Sequence, residues 1–257
     1  MAQRYPRHTV GRVRNHGLRG DLHVHTSWSD GRDDLPTMVR AAQALGHDYV
    51  AITDHSPRLR IAHGLDRDRL LAQSVAVDAL ADEVDLRIYK GIEVDILADG
   101  SLDQADDLLA GLDIVVASVH SNLRDDAETM TRRMVAAVSN PHTTVLGHPT
   151  GRLVGGDRGT RPESVFDAEV VFAACELFGV AVEINCKAER QDPPDRLLRL
   201  ADEAGCLFAI STDAHAAAQL QRLSSGWDRA MAMGIDPERI INARPDPRRR
   251  SAVGRTR

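Results

Sequence analysis

The first strand that the sequence predicts carries two imidazoles, in the pattern Asp21-Leu22-His23-Val24-His25. Residues two apart on a strand face the same side, so His23 and His25 point together. Burying two imidazoles on one side of a core strand is costly unless both find partners. The pattern therefore predicts a ligand site, and paired imidazole nitrogens suit a divalent metal ion.

Histidines and carboxylates recur where the later predicted strands end. The full set of candidate metal ligands is His23, His25, Asp30, His55, Glu93, His120, His148, Asp213 and His215. In a parallel barrel the carboxyl ends of the strands form one face, where active sites are found. One ion accepts about four to six ligands, so this set predicts about two or three ions with a bridging carboxylate.

Several ions at one centre suit the hydrolysis of a phosphate ester. Bound ions lower the pKa of water and stabilise charge on the attacking and leaving oxygens. The sequence has no phosphate-binding loop of nucleotide hydrolases, no serine-hydrolase elbow and no dinucleotide-binding glycine motif. Those three classes of enzyme are therefore not supported.

The elements that must position these residues alternate along the chain. Apolar and β-branched runs predict seven strands, at 21–24, 49–53, 87–92, 113–118, 144–147, 181–184 and 207–211. Helical periodicity predicts helices at 35–46, 66–82, 102–110, 126–138, 163–178, 195–204 and 216–233. The alternation indicates parallel βαβ units. Periodicity alone fits a closed barrel or an open doubly wound sheet, and ligand residues at the strand ends favour the barrel.

The charge of the 257-residue chain is unevenly distributed. Residues 1–20 and 244–257 each carry +5, so the net charge of −6 leaves 21–243 with −16. We expect a basic N-terminal segment (1–20), one metal-binding domain (21–243) and an Arg-rich tail (244–257). The basic ends are either solvated or in contact with nucleic acid.

Composition also bears on location. With 42% hydrophobic and 27% charged residues, the chain has an ordinary globular composition. No apolar run is long enough to cross a bilayer, and the basic start lacks the apolar segment of a secretion signal. The cysteines, Cys175, Cys186 and Cys206, are odd in number and lack metal-type spacing, which favours a reducing compartment. We expect a cytoplasmic protein without membrane contact, of open oligomeric state.

Ordered motifs over about residues 18–243 resemble the PHP (polymerase and histidinol phosphatase) family. They are 21–26 (DLHVHT), 53–55 (TDH), 91–95 (GIEVD), 118–121 (SVHS), 147–149 (GHP) and 211–215 (STDAH). Segments 19–26, 28–31 (WSDG), 53–57 (TDHSP) and 182–185 (VEIN) are similar to the C-terminal PHP domain of bacterial family X DNA polymerases. The resemblance implies an α/β fold, a distorted (β/α)₇ TIM-like barrel, with a trinuclear metal centre at the C-terminal ends of the strands.

By matched position, the resemblance implies three divalent ions, Zn²⁺, Mn²⁺ or Fe²⁺. The first would bind His23, His25, Glu93 and Asp213. Glu93 would bridge to a second ion on His120 and His148, and Asp30, His55 and His215 would hold the third. Many relatives have His at the position of Asp30, and a carboxylate there favours a harder ion such as manganese or iron. Glu93, His120 and Asp213 are the expected catalytic residues.

Loop cations are candidates for binding a phosphate group. We expect Arg58, after the second predicted strand, and Lys187 and Arg190, after the sixth, to contact the substrate. Arg190 lies where the polymerase-type relatives carry a basic residue.

Two substrate classes are left open. Polymerase-like motifs and basic ends favour nucleic-acid ends, as in a 3′–5′ exonuclease or a 3′-phosphatase. The acidic body favours a small-molecule phosphomonoesterase of the histidinol-phosphatase type. About 20 residues precede the predicted barrel, so we expect no polymerase activity from this chain. A metal-dependent amidohydrolase and a non-catalytic module with structural metals are less favoured. Amidohydrolases bridge metals with a lysine where this chain has Glu93, and structural sites are usually closed and four-coordinate.

Overall fold

The computed structural model describes residues 17–157 and 159–248. Seven parallel strands follow one another in sequence order. The strands are β1 (Gly20–Val24), β2 (Tyr49–Ile52), β3 (Arg87–Asp95), β4 (Ile114–Ser118), β5 (Val145–Leu146), β6 (Ala181–Asn185) and β7 (Phe208–Ser211). The helices are α1 (Leu35–Ala44), α2 (Arg67–Ala81), α3 (Asp106–Leu109), α4 (Ala127–Ser139), α5 (Ala168–Phe178), α6 (Asp195–Glu203) and α7 (Leu223–Ala232).

The end of β1 meets the segment after β7, so the sheet is nearly closed. Val24 forms a parallel bridge with Ala214, and the His25 amide donates to the Ala214 carbonyl over 2.8 Å. The barrel is distorted, because this contact is an isolated bridge and because the register of β1 with β2 shifts between Asp21 and Val24. The predicted distorted (β/α)₇ TIM-like barrel is therefore confirmed, and the open sheet was the wrong alternative.

The barrel interior has an apolar floor beneath a polar layer. The floor packs Leu22, Tyr49, Ala51, Tyr89, Ile114, Val116, Val145, Ala181 and Ala209. Inward positions recur every second residue along a strand. On β6, Glu183 follows Ala181 by two residues, and on β3, Glu93 follows Tyr89 by four. The alternation that places apolar side chains in the floor therefore also points these two carboxylates inward, near the C-terminal ends of the strands.

Four helices begin at an aspartate that caps the backbone. Each carboxylate accepts a hydrogen bond from the amide three residues later, which satisfies a free N–H of the first turn. The caps are Asp34, Asp66, Asp126 and Asp167. Because Asp167 is a cap, α5 begins at Ala168 rather than at the predicted 163.

Two other predicted helices differ from the structure. The helix predicted at 102–110 is the single turn α3, because Leu102 pairs with Ile96 in an antiparallel bridge. The helix predicted at 216–233 is a 3₁₀ helix, Ala217–Arg222, followed by α7.

Other expectations concern the chain ends, the cysteines and the membrane. Residues 1–16 and 249–257, which hold most of the predicted basic ends, lie outside the described residues. The three cysteines are buried and form no disulfide. Within the described residues, no helix is long and apolar enough to cross a membrane.

His47, three residues after the end of α1, is a buried histidine outside the ligand cluster. Its side chain is 3% exposed, and neither ring nitrogen has a hydrogen-bond partner in the described part of the chain. Burial lowers the pKa of His47 to about 4, although Asp48 opposes the effect. The unfolded chain takes up this proton near pH 6.5 and the folded chain only near pH 4. The lowered pKa of His47 therefore contributes to the free energy of unfolding fully above pH 6.5. That contribution is lost as the pH falls from about 6.5 to about 4.

We expect His47→Leu to reduce the acid sensitivity of folding. Between pH 7 and pH 5, the wild-type free energy of unfolding should fall by about 2 kcal/mol more than that of the variant. Urea denaturation at the two pH values measures the difference. Identical pH dependence in the two proteins would show that His47 titrates normally in the folded state.

Candidate metal centre

The carboxylate of Glu93 lies at the centre of a cluster of imidazoles. Glu93 is on β3 and is 1% exposed. Five histidines from four strand ends surround its two oxygens. The nearest nitrogens are Nε2 of His23 (3.3 Å), His25 (3.6 Å), His120 (3.3 Å) and His148 (2.8 Å), and Nδ1 of His55 (2.8 Å). The barrel thus brings together histidines that lie up to 125 residues apart in the sequence.

Asp213, two residues after β7, is a second buried carboxylate in the cluster. Its Oδ1 lies 3.4 Å from His25 Nε2 and 3.2 Å from Lys187 Nζ. Its Oδ2 accepts a hydrogen bond from Arg190 Nε over 3.1 Å. Two predicted substrate-binding cations, Lys187 and Arg190, therefore contact a predicted metal ligand here.

Asp30 lies at the mouth of the cluster, in the loop after β1. Its side chain is 34% exposed, and its Oδ1 lies 3.5 Å from His55 Nε2 and 3.4 Å from His215 Nε2. Buried Asp54 holds this loop by accepting hydrogen bonds from the side chains of Thr26 and Ser29. The loop is thus fixed from below, while Asp30 itself faces the opening.

Two of the candidate ligands have an unusual backbone. His148 and Asp213 have φ angles of 21° and 52°, in the left-handed region that non-glycine residues rarely adopt. Gly147, before His148, is needed for close approach, because a Cβ there would lie 2.2 Å from Ser118 Oγ. Strained backbone of this kind clusters at functional sites.

The pKa values in the cluster follow from burial and from neighbouring charges. Burial would raise the pKa of Glu93, but the imidazoles of His23, His120 and His55 hold it well below its usual value. Burial lowers the pKa of His25, with further lowering by His215 and His55. Ionised Glu93 and neutral His25 are the forms in which these groups bind a metal ion.

Several atoms in the cluster are buried and lack hydrogen-bond partners among the described residues. They are His23 Nε2, both ring nitrogens of His25, His55 Nδ1, Glu93 Oε2 and His148 Nδ1. Glu93 Oε2 and His55 Nδ1 are close, but their geometry is not that of a hydrogen bond. Buried polar atoms without partners are costly. Divalent ions satisfy this mixture of nitrogen and oxygen lone pairs, so the residues fit a metal centre.

Among the described residues, three groups of side chains could each hold a metal ion, because the ligand atoms within each group lie within 4.8 Å of one another. The groups are His23, His25 and Asp213; His55, Glu93 and His120; and His25, Asp30, His55 and His215. His25 and His55 each belong to two groups, which differs from the ligand sets that the resemblance implies. His148 is outside the groups, although its Nε2 is 2.8 Å from Glu93 Oε1. All nine predicted ligands lie in one continuous cluster.

An open pocket lies over the cluster. Lys187 and Arg190 line it, together with Arg161, Leu59, Ile61 and Ala62. Arg58 is exposed in the same segment as Leu59 and is not among the lining residues. Sequence reasoning missed Arg161 and Ile61, which reach the pocket from loops without a strand-end signal.

Sequence reasoning also missed two carboxylates beneath the cluster. Glu183 accepts a hydrogen bond from His23, and Asp95 accepts one from His120. Glu183 is a charged residue within the predicted strand at 181–184, and Asp95 ends the motif at 91–95, directly after the predicted strand at 87–92. These positions were the signals that could have identified them.

The chain is similar to several known proteins. Residues 21–156 match the PHP domain family. Over 228 residues the chain is 38% identical to the DNA polymerase/3′-5′ exonuclease PolX of Bacillus subtilis (strain 168), covering 88% of this chain and 39% of PolX. A probable phosphatase of Thermoanaerobacter sp. (strain X514) is 27% identical over 235 residues, covering 86% of this chain and 89% of the phosphatase. The chain therefore spans about two fifths of PolX and most of the phosphatase.

A solved structure supports the fold. It is histidinol phosphate phosphatase from Lactococcus lactis subsp. lactis Il1403, complexed with zinc, L-histidinol and phosphate. It matches with a TM-score of 0.60 at 17% identity, covering 85% of this chain and 95% of that one.

We expect Glu93→Gln to remove bound metal and catalytic rate together. The amide has one acceptor oxygen and no charge, so it cannot serve ions on both sides. The rate of p-nitrophenyl phosphate hydrolysis should fall by about a hundredfold or more, since even outer partners of a metal ligand contribute 10- to 100-fold. Metal content, by plasma mass spectrometry, should fall in parallel. The control is Glu176→Gln, at an exposed position on α5. A Glu93→Gln protein with wild-type metal content and rate would contradict the site.

Proposed function

The chain belongs to the PHP domain family and is a metal-dependent hydrolase of phosphate esters, and we propose that its substrates are nucleic-acid ends. The proposed reaction is that of a 3′–5′ exonuclease or a 3′-phosphatase. The observation that carries this assignment is the 38% identity with PolX, compared with 27% for the probable phosphatase. Because the chain spans 39% of PolX, we propose the 3′–5′ exonuclease type of activity and not the polymerase activity.

We propose that the cluster holds three divalent ions, Zn²⁺, Mn²⁺ or Fe²⁺. His23, His25, Glu93 and Asp213 would hold the first, Glu93, His120 and His148 the second, and Asp30, His55 and His215 the third. When bound, the ions lower the pKa of a water molecule and neutralise charge on the phosphate ester. The carboxylate of Asp30 favours manganese or iron over zinc at the third position.

The side chains over the cluster supply the donors for a phosphate group. Arg161, Lys187 and Arg190 line the pocket. Arg190 is 5% exposed, and its Nη1 has no hydrogen-bond partner in the described residues. A buried guanidinium N–H without an acceptor fits a phosphate oxygen, with which Arg forms strong charge-assisted hydrogen bonds. Arg190 would orient the ester, and Arg161 and Lys187 would add positive charge to the pocket wall.

The pocket rim carries an apolar side chain that suits a nucleoside. Ile61, in the 3₁₀ helix Arg60–Ala62, is 89% exposed and lines the pocket. An isoleucine this exposed gains no stability from its position, whereas contact with a base or sugar would remove its apolar surface from water. This favours a substrate with an extended leaving group.

A small phosphomonoester is the second candidate substrate. Probable phosphatases match this chain over most of their own length, whereas PolX matches over a small part. The net charge of −16 over residues 21–243 also opposes the approach of a polyanion. This alternative keeps the same metal centre and the same phosphate-binding residues.

Paired assays on one metal-loaded sample separate the two candidates. We expect a 5′-labelled oligonucleotide to be shortened from its 3′ end, or to lose a 3′-phosphate. Phosphate release from small monoesters, including histidinol phosphate, should be slower. His23→Ala, which removes a proposed ligand, should abolish both reactions. Rapid hydrolysis of a small monoester with intact DNA would favour the second candidate.

We expect Ile61→Ala to raise the KM for an oligonucleotide about three- to tenfold, which corresponds to about 1 kcal/mol of lost apolar contact. The KM for glycerol 2-phosphate, whose leaving group is too small to reach the rim, should not change. Steady-state kinetics on both substrates measures the difference. The matched control is Leu177→Ala, at a 73% exposed position on α5. Equal KM values for Ile61→Ala and wild type would show that the rim does not contact the leaving group.

A further inference from the structure

Two histidines of the proposed centre are hydrogen-bonded to carboxylates outside the ligand set. His23 Nδ1 lies 2.6 Å from Glu183 Oε1, and both side chains are fully buried. His120 Nδ1 lies 2.5 Å from Asp95 Oδ1. Each carboxylate oxygen is an acceptor, so each imidazole donates from Nδ1.

The opposite nitrogens of the same rings face Glu93. His23 Nε2 lies 3.3 Å from Glu93 Oε2, and His120 Nε2 lies 3.3 Å from Glu93 Oε1. A neutral imidazole that carries its proton on Nδ1 has its lone pair on Nε2. The two rings are therefore oriented with their ligand nitrogens on either side of one carboxylate.

We propose that Glu183 and Asp95 are positioning residues that fix His23 and His120 as Nδ1–H tautomers with both Nε2 lone pairs free for metal ions. This inference rests on the proposed metal centre and adds the groups that orient its ligands. Carboxylates in this role also increase the basicity of the imidazole that they hold.

Glu183 makes more hydrogen bonds than Asp95, because both of its carboxylate oxygens accept from neighbouring groups. Its Oε1 faces His23, while Oε2 accepts hydrogen bonds from the His148 amide (2.6 Å) and Asn185 Nδ2 (3.2 Å). Asn185 Nδ2 also lies 3.2 Å from Asp213 Oδ2. Glu183 thus links candidate ligands from β1, from the end of β5 and, through Asn185, from the end of β7.

This difference predicts unequal effects of amide substitution. Glutamine has one acceptor oxygen and one NH₂ group. At position 183 its NH₂ must face either His23 Nδ1–H or the two donors at Oε2, and neither pairing is a hydrogen bond. At position 95 an asparagine can keep its oxygen against His120 Nδ1–H. Glu183→Gln should therefore disturb its histidine strongly and Asp95→Asn only weakly.

The test measures zinc binding and imidazole protonation on the zinc-loaded chain. We expect Glu183→Gln to weaken Zn²⁺ binding by about 10- to 100-fold in a competition titration with a chelator. In long-range ¹H–¹⁵N spectra it should lose the Nδ1–H signal of His23, which is identified by its absence from His23→Gln. Asp95→Asn should change Zn²⁺ affinity less than about threefold, whereas Asp95→Ala, which removes the acceptor, should weaken it about tenfold.

Controls separate this inference from the metal centre itself. Glu203→Gln, at an exposed position on α6, should bind zinc like the wild type. If Glu93→Gln loses zinc while Glu183→Gln keeps both wild-type affinity and the His23 Nδ1–H signal, the positioning role is wrong and the metal centre stands. If Glu93→Gln keeps all of its zinc, the metal centre is wrong. Should Glu183→Gln fail to fold, the two Asp95 variants decide, and equal affinities in them would overturn the proposal.

Discussion

The buried negative charge of Glu93 is the constraint on which the rest of the site depends. A carboxylate inside a protein is stable only with partners that compensate for its lost hydration. Here the partners are imidazoles from the ends of β1, β2, β4 and β5, which are the strands on either side of β3 in the sheet. The bridge between Val24 and Ala214, after β7, then places His25 beside Asp213. The fold and the site therefore depend on the same feature, the alternation of inward side chains along the strands. Inward apolar side chains pack the floor of the barrel, and inward polar side chains above them form the cluster.

The cluster has a rigid base and a more exposed rim. His23, Glu93 and Glu183 lie on strands, and the sheet fixes the positions of their backbones. A hydrogen bond between His23 and Glu183 also orients these two side chains. Asp30 and Arg161 reach the same pocket from loops, which are held by local hydrogen bonds rather than by the barrel sheet. Strand residues therefore set the geometry of the proposed ligands at the base, while loop residues form the rim of the pocket. Such a division is the general arrangement of barrel enzymes, in which a conserved scaffold supports variable loops.

The sequence predicted the strands, the barrel and the clustering of all nine candidate ligands, because strand ends are local features and parallel strands share one face. It did not predict α3, where a bridge between Ile96 and Leu102 replaces the first turns of a helix. It also did not predict that Ile61 and Arg161 line the pocket, because loop paths depend on contacts between distant segments. In the structure Leu153 pairs with Arg161, and that pairing sets the direction of the loop. Glu183 lies in the motif at 182–185 (VEIN). Its partner His23 is 160 residues away, and no pattern along the chain indicates that the two side chains meet.

The balance of charge around the pocket links metal binding to substrate binding. Asp30, Glu93 and Asp213 surround the pocket, and Asp95 and Glu183 lie directly beneath it. Against these acids stand three cations, Arg161, Lys187 and Arg190, and two of the three already contact Asp213. Burial lowers the pKa values of His23 and His120, but Glu93 and the carboxylates beside it raise them overall, so these imidazoles also offset part of the negative charge. The surrounding residues 21–243 carry a net charge of −16, which opposes the approach of a phosphate ester. The proposed ions would add positive charge beside Asp213, which would weaken its attraction for Lys187 and Arg190. Bound metal ions would therefore favour the contact of these two cations with a phosphate group.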